Sequence, residues 1–249
     1  MNAIDNEELE KYIALLREDP IIVPEANLIP RIDRPDVEIA VVNQWNVTDP
    51  QRQRDLVEAS SNAWQRTPRR RGLVSLNFFL STDGQSVLSY DQWDSEAAYQ
   101  RWVETHYNLM DAQSVTYRLY RSAARDGDTR IPGCVVIVSV EFDGPDVQRQ
   151  RQWIDAVFEA LDGETEPPPG GIFGHFHVST DGTRVLNYAG WTDEHAHRDA
   201  LEKSGQGTIG SGTLWQRVRT FPGVVASGFK RYRFYRSFIP QTRGQRNAG

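Results

Sequence analysis

The sequence predicts an α+β protein in which two tandem ferredoxin-like βαββαβ repeats form a dimeric α/β barrel within one chain. The first observation is an internal duplication, since residues 79–93 return 98 positions later as residues 177–191 with the same turn and a similar alternation. Each copy contains two alternating runs joined at Asp-Gly, a strong hairpin signal. Helix-like segments flank each hairpin, and the 249 residues suit two units of about 100 residues each.

A ferredoxin-like unit buries one face of its sheet under its helices and leaves the other face to be covered. A second copy in the same chain can supply that cover, which is why we expect the two sheets to face each other as an intrachain barrel. The predicted organisation has four parts: an N-terminal helix and extended arm at 1–35, repeat 1 at 36–125, repeat 2 at 131–239 and a disordered tail at 240–249.

Repeat 1 is expected to begin with a strand at 37–47. Asp49 and Pro50 then supply an N-cap and a first-turn proline for a helix. The later elements of this repeat are a hairpin at 73–93, a helix capped by Ser95 and a closing strand at 114–121.

Repeat 2 follows the same plan, with one difference near its end. Its expected elements are a strand at 134–142, a helix at 145–161, a hairpin at 171–191, a second helix and a closing strand at 228–238. An insertion at 204–228, rich in Gly and Ser, separates that second helix from the closing strand. Irregular segments of this length often act as lids or linkers.

Composition excludes several classes of function. A net charge of −6 disfavours a surface that tracks phosphates, so we expect no nucleic-acid partner. The single cysteine, Cys134, excludes an intrachain disulfide and a cysteine-based metal site. Because the N-terminal sequence has no signal-peptide pattern and no apolar run reaches membrane-spanning length, we expect a cytoplasmic protein without a membrane partner.

The second hairpin carries a specific motif. His177-x-Ser179-Thr180-Asp181-Gly182 leads into Asn187-Tyr188-x-x-Trp191, and this string resembles the antibiotic biosynthesis monooxygenase family. It is most similar to quinone-forming anthrone monooxygenases, and two-repeat chains of this size also resemble oxygenases that open a ring of angucycline polyketides.

The resemblance implies oxidation of a polycyclic aromatic polyketide by O₂ without a metal or bound prosthetic group. Some ring-opening relatives depend on reduced flavin (FADH₂ or FMNH₂) supplied by a flavin reductase. The sequence shows no Gly-rich flavin-binding loop. Reduced flavin is therefore an expectation from resemblance alone.

The resemblance also implies pocket residues, namely the Asn and Trp of the motif and a Tyr six residues beyond the Trp. In repeat 2 these positions hold Asn187, Trp191 and His197, so His stands where Tyr is expected. In repeat 1 they hold Ser89, Trp93 and Tyr99. Neither copy has the full set, but repeat 2 keeps Asn and Trp together and is the expected active half.

Alternation within the strands predicts which side chains share a face. Asn187 and Trp191 should lie on one face with Val185 and Ala189, opposite Phe176 and Val178 on the neighbouring strand. The Asn187 amide and the Trp191 indole could then donate hydrogen bonds to a developing oxyanion in an apolar slot. An amide on an apolar face is costly unless it finds partners, which favours a functional role for Asn187.

The other face should carry His175, His177, Leu186 and Tyr188. His177 on this face, and His197 on the next helix, titrate near neutrality and could move a proton if they reach a pocket. The remaining candidates for substrate contact are aromatic or polar residues at equivalent or neighbouring positions: Phe176, Tyr188, Trp93, Tyr99, Ser89 and Trp215.

Structural explanations compete with these assignments. The two Trp residues of the motifs fit an ordinary core, His195 and His197 fit an exposed helix start, and Trp215 fits a surface helix. His175 and His177 could share a metal, but no carboxylate completes the ligand set, so we predict no metal site.

Two other functions remain open. One is a non-catalytic or cyclase-like protein that binds a reactive polyketide, which the incomplete residue sets allow. The other is haem degradation, for which Asn43, Trp93 and His106 have suitable residue types without a matching spacing. The duplication allows a monomer that is a pseudo-dimer, and a homodimer is the alternative.

Overall fold

The computed structural model describes residues 29–66, 71–106, 114–124, 128–166 and 168–239. Within these ranges the strands are β1 (Ile39–Asn46), β2 (Leu73–Ser81), β3 (Ser86–Trp93), β4 (Val115–Ala124), β5 (Cys134–Phe142), β6 (Gly171–Ser179), β7 (Arg184–Trp191) and β8 (Val224–Phe238). The helices are α1 (Pro50–Arg66), α2 (Glu96–His106), α3 (Val147–Asp162), α4 (Glu194–Ser204) and α5 (Thr213–Arg219). The predicted N-terminal helix and the polar tail lie outside the described residues.

The strand order confirms the predicted α+β class. The order β1-β3-β2-β8-β5-β7-β6-β4 is that of a dimeric α/β barrel built from two βαββαβ repeats. The elements follow the predicted plan, with two differences. The insertion contains the short helix α5, and the closing strand of repeat 2 begins at Val224 rather than at 228.

Contacts divide the chain into two compact units. Unit 1 comprises residues up to 115 together with residues from 234 onward, and unit 2 comprises residues 116–233. These units differ from the sequence repeats in the last strand of each: nearly all of β4, which ends repeat 1 in the sequence, lies in unit 2, and the end of β8 lies in unit 1.

In unit 1, β1 and β2 both pair antiparallel with β3, so that Ser89 lies opposite Asn43 on one side and Phe78 on the other. The two helices of repeat 1 supply Leu56, Val57 and Tyr99 to the apolar core of this unit. The strands supply most of its other large buried side chains: Ile39, Val41, Trp45, Leu73, Leu76, Phe78, Val87, Trp93 and Phe238.

In unit 2, β7 is central, with β5 on one side and β6 on the other, and Asn187 lies opposite Val138 and Phe176. Strand β4 pairs with the outer edge of β6, and residues 224–232 of β8 pair with β5. Helix α3 covers the sheet with Ile154, Val157 and Phe158. Helix α5 packs beside α3, where the indole of Trp153 donates a hydrogen bond to the carbonyl of Val218 at 3.3 Å.

A buried glutamine in the first helix of each repeat fastens that helix to the mouth of the hairpin. The Gln150 amide nitrogen donates to the Ser179 hydroxyl at 2.9 Å and to the Arg184 carbonyl at 2.6 Å. Gln53 makes the same contacts in repeat 1, to the Ser81 hydroxyl at 3.0 Å and to a hairpin carbonyl at 2.8 Å. This clamp explains why the third residue of Gln-Arg-Gln-Arg is Gln in both copies.

The hairpin turns are built as the Asp-Gly signal predicts. Asp181 and Gly182 occupy the centre of a four-residue loop, the Gly182 amide donates to the Ser179 carbonyl at 3.2 Å, and Gly182 has a φ of 78°. A Cβ at Gly182 would also lie 3.1 Å from the backbone nitrogen of Asp146 at the start of α3. Glycine is therefore required both by the backbone conformation and by the close approach of the helix.

His177 lies on the sheet face that α3 does not cover. Its side chain is 1% exposed, and its Nδ1 lies 3.3 Å from the Leu186 carbonyl oxygen. Burial lowers the pKa of His177 to about 3, and the neighbouring His175 adds to the effect. His177 is therefore neutral in the folded protein at neutral pH.

Replacing Gln150 by Ala should lower the free energy of unfolding by about 2 to 3 kcal/mol, because two hydrogen bonds at a buried position are lost. Urea titrations followed by tryptophan fluorescence would measure this. Gln148→Ala, an exposed position on the same helix, is the matched control and should change the value by less than about 0.5 kcal/mol. Equal effects of the two changes would contradict the clamp.

Stability should also depend on pH through His177. Since the folded pKa lies below the unfolded value of about 6.5, the contribution is complete above pH 6.5 and is lost as the pH falls toward 3. We expect the free energy of unfolding to fall by about 1 kcal/mol per pH unit just below pH 6.5. Unfolding titrations at several pH values should give a flatter dependence for His177→Gln, and an unchanged slope would argue against this origin.

Candidate functional site

Two adjoining cavities lie in unit 2 on the face of β6 and β7 that carries Asn187. The larger has a volume of about 430 Å³ and the smaller about 260 Å³. Leu161, Phe176, Asn187 and Ile209 line both cavities. The two therefore meet at the Asn187–Phe176 pair, which faces directly across the hairpin.

The lining is mostly apolar and carries a few polar groups. Val138, Trp153, Val157, Leu201, Trp215, Val218 and Phe229 form the apolar wall of the larger cavity. Its polar side chains include Asn187, His197, Thr208, Arg219 and Ser227. Trp191 closes the smaller cavity together with Phe173 and several glycines and alanines. An apolar slot with a few convergent polar groups is typical of a small-molecule site.

Asn187 is incompletely satisfied where the cavities meet. Its Oδ1 is buried and has no hydrogen-bond partner among the described residues. The oxygen lies over Gly174, where an added Cβ would come within 3.3 Å of it. A buried amide oxygen without a partner costs free energy unless a ligand supplies a donor. The amide can accept from a ligand hydroxyl through Oδ1 and donate through Nδ2.

His197 lies at the other side of the larger cavity, on α4, and is 3% exposed. Its ring contacts Trp191 edge to face at 4.9 Å between centroids, and Phe229 at 5.0 Å. The Nε of Arg231 on β8 donates to His197 Nδ1 at 3.0 Å. Burial and, to a smaller extent, the charge of Arg231 together lower the pKa of His197 to about 4. The ring is therefore neutral at neutral pH.

Helix α5 of the insertion covers the larger cavity with Trp215 and Val218. Trp215 is 4% exposed, and its indole nitrogen donates to Glu164 at 2.6 Å. A second contact, between Arg217 and Glu159, ties the helix to α3 at 2.5 Å. The predicted contribution of the insertion to a pocket therefore has a structural basis, and Trp215 lines the cavity.

The structure brings some predicted residues together and separates others. Each of Phe176, Asn187, Trp191, His197 and Trp215 lines at least one of the two cavities. His177 and Tyr188 lie on the opposite face of the same strands, as alternation predicts, and line neither cavity. Tyr188 stacks on Phe173 at 6.1 Å between ring centroids. Neither side chain is placed to act on a ligand in these cavities.

The corresponding residues of repeat 1 are packed against one another. Trp93 contacts Tyr99 at 5.4 Å and Trp102 at 5.9 Å between ring centroids. Ser89 is 1% exposed and accepts a hydrogen bond from the Asn43 amide at 3.0 Å. Burial raises the pKa of Tyr99 to about 12, so its phenol stays protonated.

This arrangement does not support the haem hypothesis, because the Asn43 amide already forms hydrogen bonds with Ser89 and Ser114. Trp93, its second proposed residue, is enclosed in the aromatic cluster. The side chain of His106 lies outside the described residues.

A comparison of the repeats shows why unit 2 has this space. Two large buried residues of repeat 1, Leu73 and Leu76, and the half-buried Trp102 correspond at a spacing of 98 residues to Gly171, Gly174 and Ala200. The two glycines line the smaller cavity, and Ala200 packs beside Trp191. These three differences are visible in the sequence when the two copies are aligned, but the prediction of the site did not rely on them. The role of Arg231 was also missed, because only the fold places it beside His197.

Within the described ranges, no group of three or more His, Cys, Asp or Glu side chains is arranged to hold a metal ion. None of the helices in that part of the chain combines the length and apolar composition of a membrane span. Burial raises the pKa of the Cys134 thiol to about 11, which makes it a poor nucleophile.

Comparison with known proteins places the fold. A crystal structure described as that of an anthrone oxidase-like protein is 16% identical, covers 82% of this chain and 94% of its own, and superposes with a TM-score of 0.65. A protein from Fusobacterium nucleatum that carries the name of a monooxygenase is 8% identical over 83% of this chain and 96% of its own, with a TM-score of 0.51. At these identities the similarity concerns the fold.

The ActVA-Orf6 monooxygenase of Streptomyces coelicolor, solved with nanaomycin D, is 27% identical over 45% of this chain and 89% of its own, with a TM-score of 0.30. No curated protein matches the sequence. The model of the antibiotic biosynthesis monooxygenase family matches residues 38–108, most of repeat 1. The resemblance is confirmed over residues 38–108, which match the model of this family, and the fold is similar to that of an anthrone oxidase-like protein.

Proposed function

We propose that the protein is an oxygenase that binds a polycyclic aromatic polyketide in the cavities of unit 2 and oxidises it with O₂. The observation that carries this proposal is the unpartnered amide oxygen of Asn187 at the junction of two largely apolar cavities. The larger cavity, about 430 Å³, falls in the size range of small-molecule sites. The monooxygenase domain in the same chain supports an oxygenase rather than another class of enzyme.

The chemistry requires few protein groups. An anthrone is a carbon acid whose conjugate base can pass electrons to O₂. The overall reaction, one anthrone and one O₂ giving one quinone and one water, balances without a further reductant. The protein needs to bind the rings, favour the anion and exclude water from the peroxide. Asn187, His197 and Trp191 surround the ligand space and can supply neutral hydrogen-bonding groups.

Ring opening is the alternative outcome in the same site, and when one oxygen atom of O₂ is inserted into a ring bond and the other leaves as water, the reaction needs two electrons from a donor. Reduced flavin delivered by a separate reductase is the electron donor that we propose for that case.

The larger cavity also has a cation in its wall. Arg219 lines this cavity and donates a hydrogen bond to the Thr208 hydroxyl at 3.3 Å, which supports binding of an acidic or phenolic compound.

Repeat 2 is proposed as the active half. Unit 1 fills the equivalent positions with Leu73, Leu76 and Trp102, and its Ser89 hydroxyl is already bonded to Asn43. Repeat 1 then acts as a structural partner that keeps the scaffold without a ligand space at these positions.

A binding or cyclase-like protein is the second candidate. It is favoured by His197, which is neutral, buried and bonded at Nδ1, and is therefore poorly suited to accept a proton. The same cavities would hold the ligand in both cases, so consumption of O₂ distinguishes the two.

The first test is oxygen uptake with an anthrone and with an angucycline phenol, each with and without a flavin reductase system, followed by mass spectrometry. Uptake without flavin, with a quinone formed, would support the cofactor-independent reaction. Uptake only with reduced flavin, with a cleaved ring, would identify the ring-opening reaction. Saturable binding without uptake would favour the binding protein and contradict the oxygenase.

Replacing Asn187 by Ala should lower kcat/KM for the substrate by about 10- to 100-fold, because a hydrogen-bonding partner of the reacting oxygen is lost. Ser89→Ala at the equivalent position of repeat 1 should leave the activity within about twofold. Steady-state kinetics on both variants would measure this. Similar losses in the two variants would argue against the assignment of repeat 2.

Filling the smaller cavity should block binding. Gly174→Leu restores the side-chain type of repeat 1 and would occupy space beside Phe176 and Asn187, so the ligand Kd should rise by at least about 10-fold. Gly144→Leu, where an added Cβ meets nothing within 4 Å, is the matched control and should bind normally. Fluorescence titration with the substrate, in the absence of O₂, would decide. Unchanged binding by Gly174→Leu would exclude this cavity as part of the site.

A further inference from the structure

We propose that His197 is a fixed N–H donor to the ligand that is being oxidised and not a proton shuttle. Arg231 is the positioning residue that sets the tautomer of His197. This inference rests on the proposed function and assigns a role to a residue pair that the hairpin motif does not contain. The pair joins α4 to β8, and the imidazole lines the larger cavity.

The tautomer follows from the hydrogen-bond partner. Arg231 Nε lies 3.0 Å from His197 Nδ1. A guanidinium has only N–H donors, so Nδ1 must present its lone pair. A neutral imidazole that accepts at Nδ1 carries its proton at Nε2. The ring therefore has a single N–H group, at Nε2, and His197 lines the larger cavity.

The surroundings hold the ring in this state. Trp191 of β7 packs against it at an interplanar angle of 70°, and Phe229 of β8 at 78°. The Arg231 guanidinium also lies over the Phe229 ring at 5.0 Å, which restrains the arginine. A ring flipped by 180° would place Cδ2 opposite Arg231 Nε and lose the bond, and the tautomer protonated at Nδ1 would place two N–H groups against each other.

Charge and burial oppose protonation of this ring. Arg231 is the charged group that acts on it from β8, Trp191 and Phe229 are uncharged, and Arg219 of α5 lines the same cavity. A second proton on Nδ1 would break the Arg231 bond and place a cation beside a cation. The pKa of His197 accordingly lies near 4, well below the neutral range.

The consequence for the reaction is a division of roles. His197 can donate from Nε2 to the ligand oxygen that becomes anionic when the ligand loses its proton, and it keeps its own proton throughout. The ligand proton must leave to the reduced oxygen species or to solvent. The donor strength of the site should then be independent of pH over the range where an ordinary histidine titrates.

The tautomer can be observed directly in the full chain labelled with ¹⁵N-histidine. Long-range ¹H–¹⁵N correlation spectra should show His197 with an unprotonated Nδ1 and a protonated Nε2, unchanged between about pH 5.5 and 8. The spectrum of His197→Gln assigns the signal among the five histidines. A protonated Nδ1, or a titration near pH 6.5 in the unmodified protein, would overturn the proposal.

Arg231→Met removes the donor and the charge. In this variant His197 should sample both tautomers and titrate at least about one pH unit higher than in the unmodified protein. Arg231→Gln, which can still donate to Nδ1, should restore the single tautomer and serves as the conservative variant. Arg233→Met is the matched control, because it removes one charge from the same strand at an exposed position 3.6 Å from Glu194. It should behave as the unmodified protein does.

Kinetics separate the catalytic role from the structural one. For Arg231→Met, kcat should fall by about 2- to 10-fold and by the same factor at pH 7 and pH 8, because the ratio of the two neutral tautomers does not depend on pH, with KM changed by less than about threefold. Arg231→Gln should recover most of this loss, and a loss that Arg231→Gln does not recover would reject the tautomer role. If the unmodified protein consumes no O₂ with any substrate, the proposed function fails and the donor role fails with it, whereas the NMR result still decides the tautomer.

Discussion

The structure depends on a buried amide at the mouth of each hairpin. Gln150 reaches from α3 to the Ser179 hydroxyl and the Arg184 carbonyl, the residues that begin and end the turn. This contact sets how closely the helix can approach the sheet, and therefore the depth of the space beneath it. Because Gln53 makes the equivalent contacts in repeat 1, the two helices are fastened in the same way. Because both repeats share this clamp, they differ instead in the side chains that fill the space between the helix and the sheet.

Three substitutions between the repeats account for that difference. Repeat 2 has Gly171, Gly174 and Ala200 where repeat 1 has Leu73, Leu76 and Trp102, and the smaller cavity lies beside Trp191. Voids of this kind are costly when their walls are apolar, because contacts are lost without being replaced. A ligand of matching shape would restore these contacts. The absence of large side chains and the unpartnered Asn187 oxygen both agree with the proposed ligand, which is largely apolar and carries at least one hydroxyl group.

Much of the fold could be predicted because its signals are local. Asp-Gly at the hairpins, Asp49 before the first helix and the period-two alternation of β6 and β7 each act over a few residues, and each is found in the structure. The alternation also placed Asn187 and Trp191 on one face and His177 on the other. The exchange of the last strands could not be predicted in this way. Pairing of β4 with β6 joins segments that are far apart in the sequence, and no local pattern specifies it.

The site was predicted less completely than the fold for the same physical reason. Asn187, Trp191, Phe176 and His197 were found through the hairpin motif and its resemblance, but the partner of His197 was not. Arg231 lies 34 residues further on, in a strand with several basic and aromatic side chains, and nothing in this local pattern distinguishes it from its basic neighbours. Only the pairing of β8 with β5 brings its guanidinium to the imidazole. A residue that acts through another residue carries little signal of its own in a single sequence.

The neutral character of the site has a consequence for the type of chemistry. Its central groups are an amide, an indole and an imidazole held without charge, and Arg219 is the cation in the wall of the larger cavity. Such a site stabilises an anion by directed dipoles and does not itself take a proton from a weakly acidic carbon. In the proposed reaction the acidity must then come largely from the ligand, which favours compounds whose anions are delocalised over several rings. O₂ can accept electrons from such anions directly. The same electrostatic argument that makes His197 a poor base thus favours an electron-rich, fused-ring phenol or anthrone over an isolated aromatic ring.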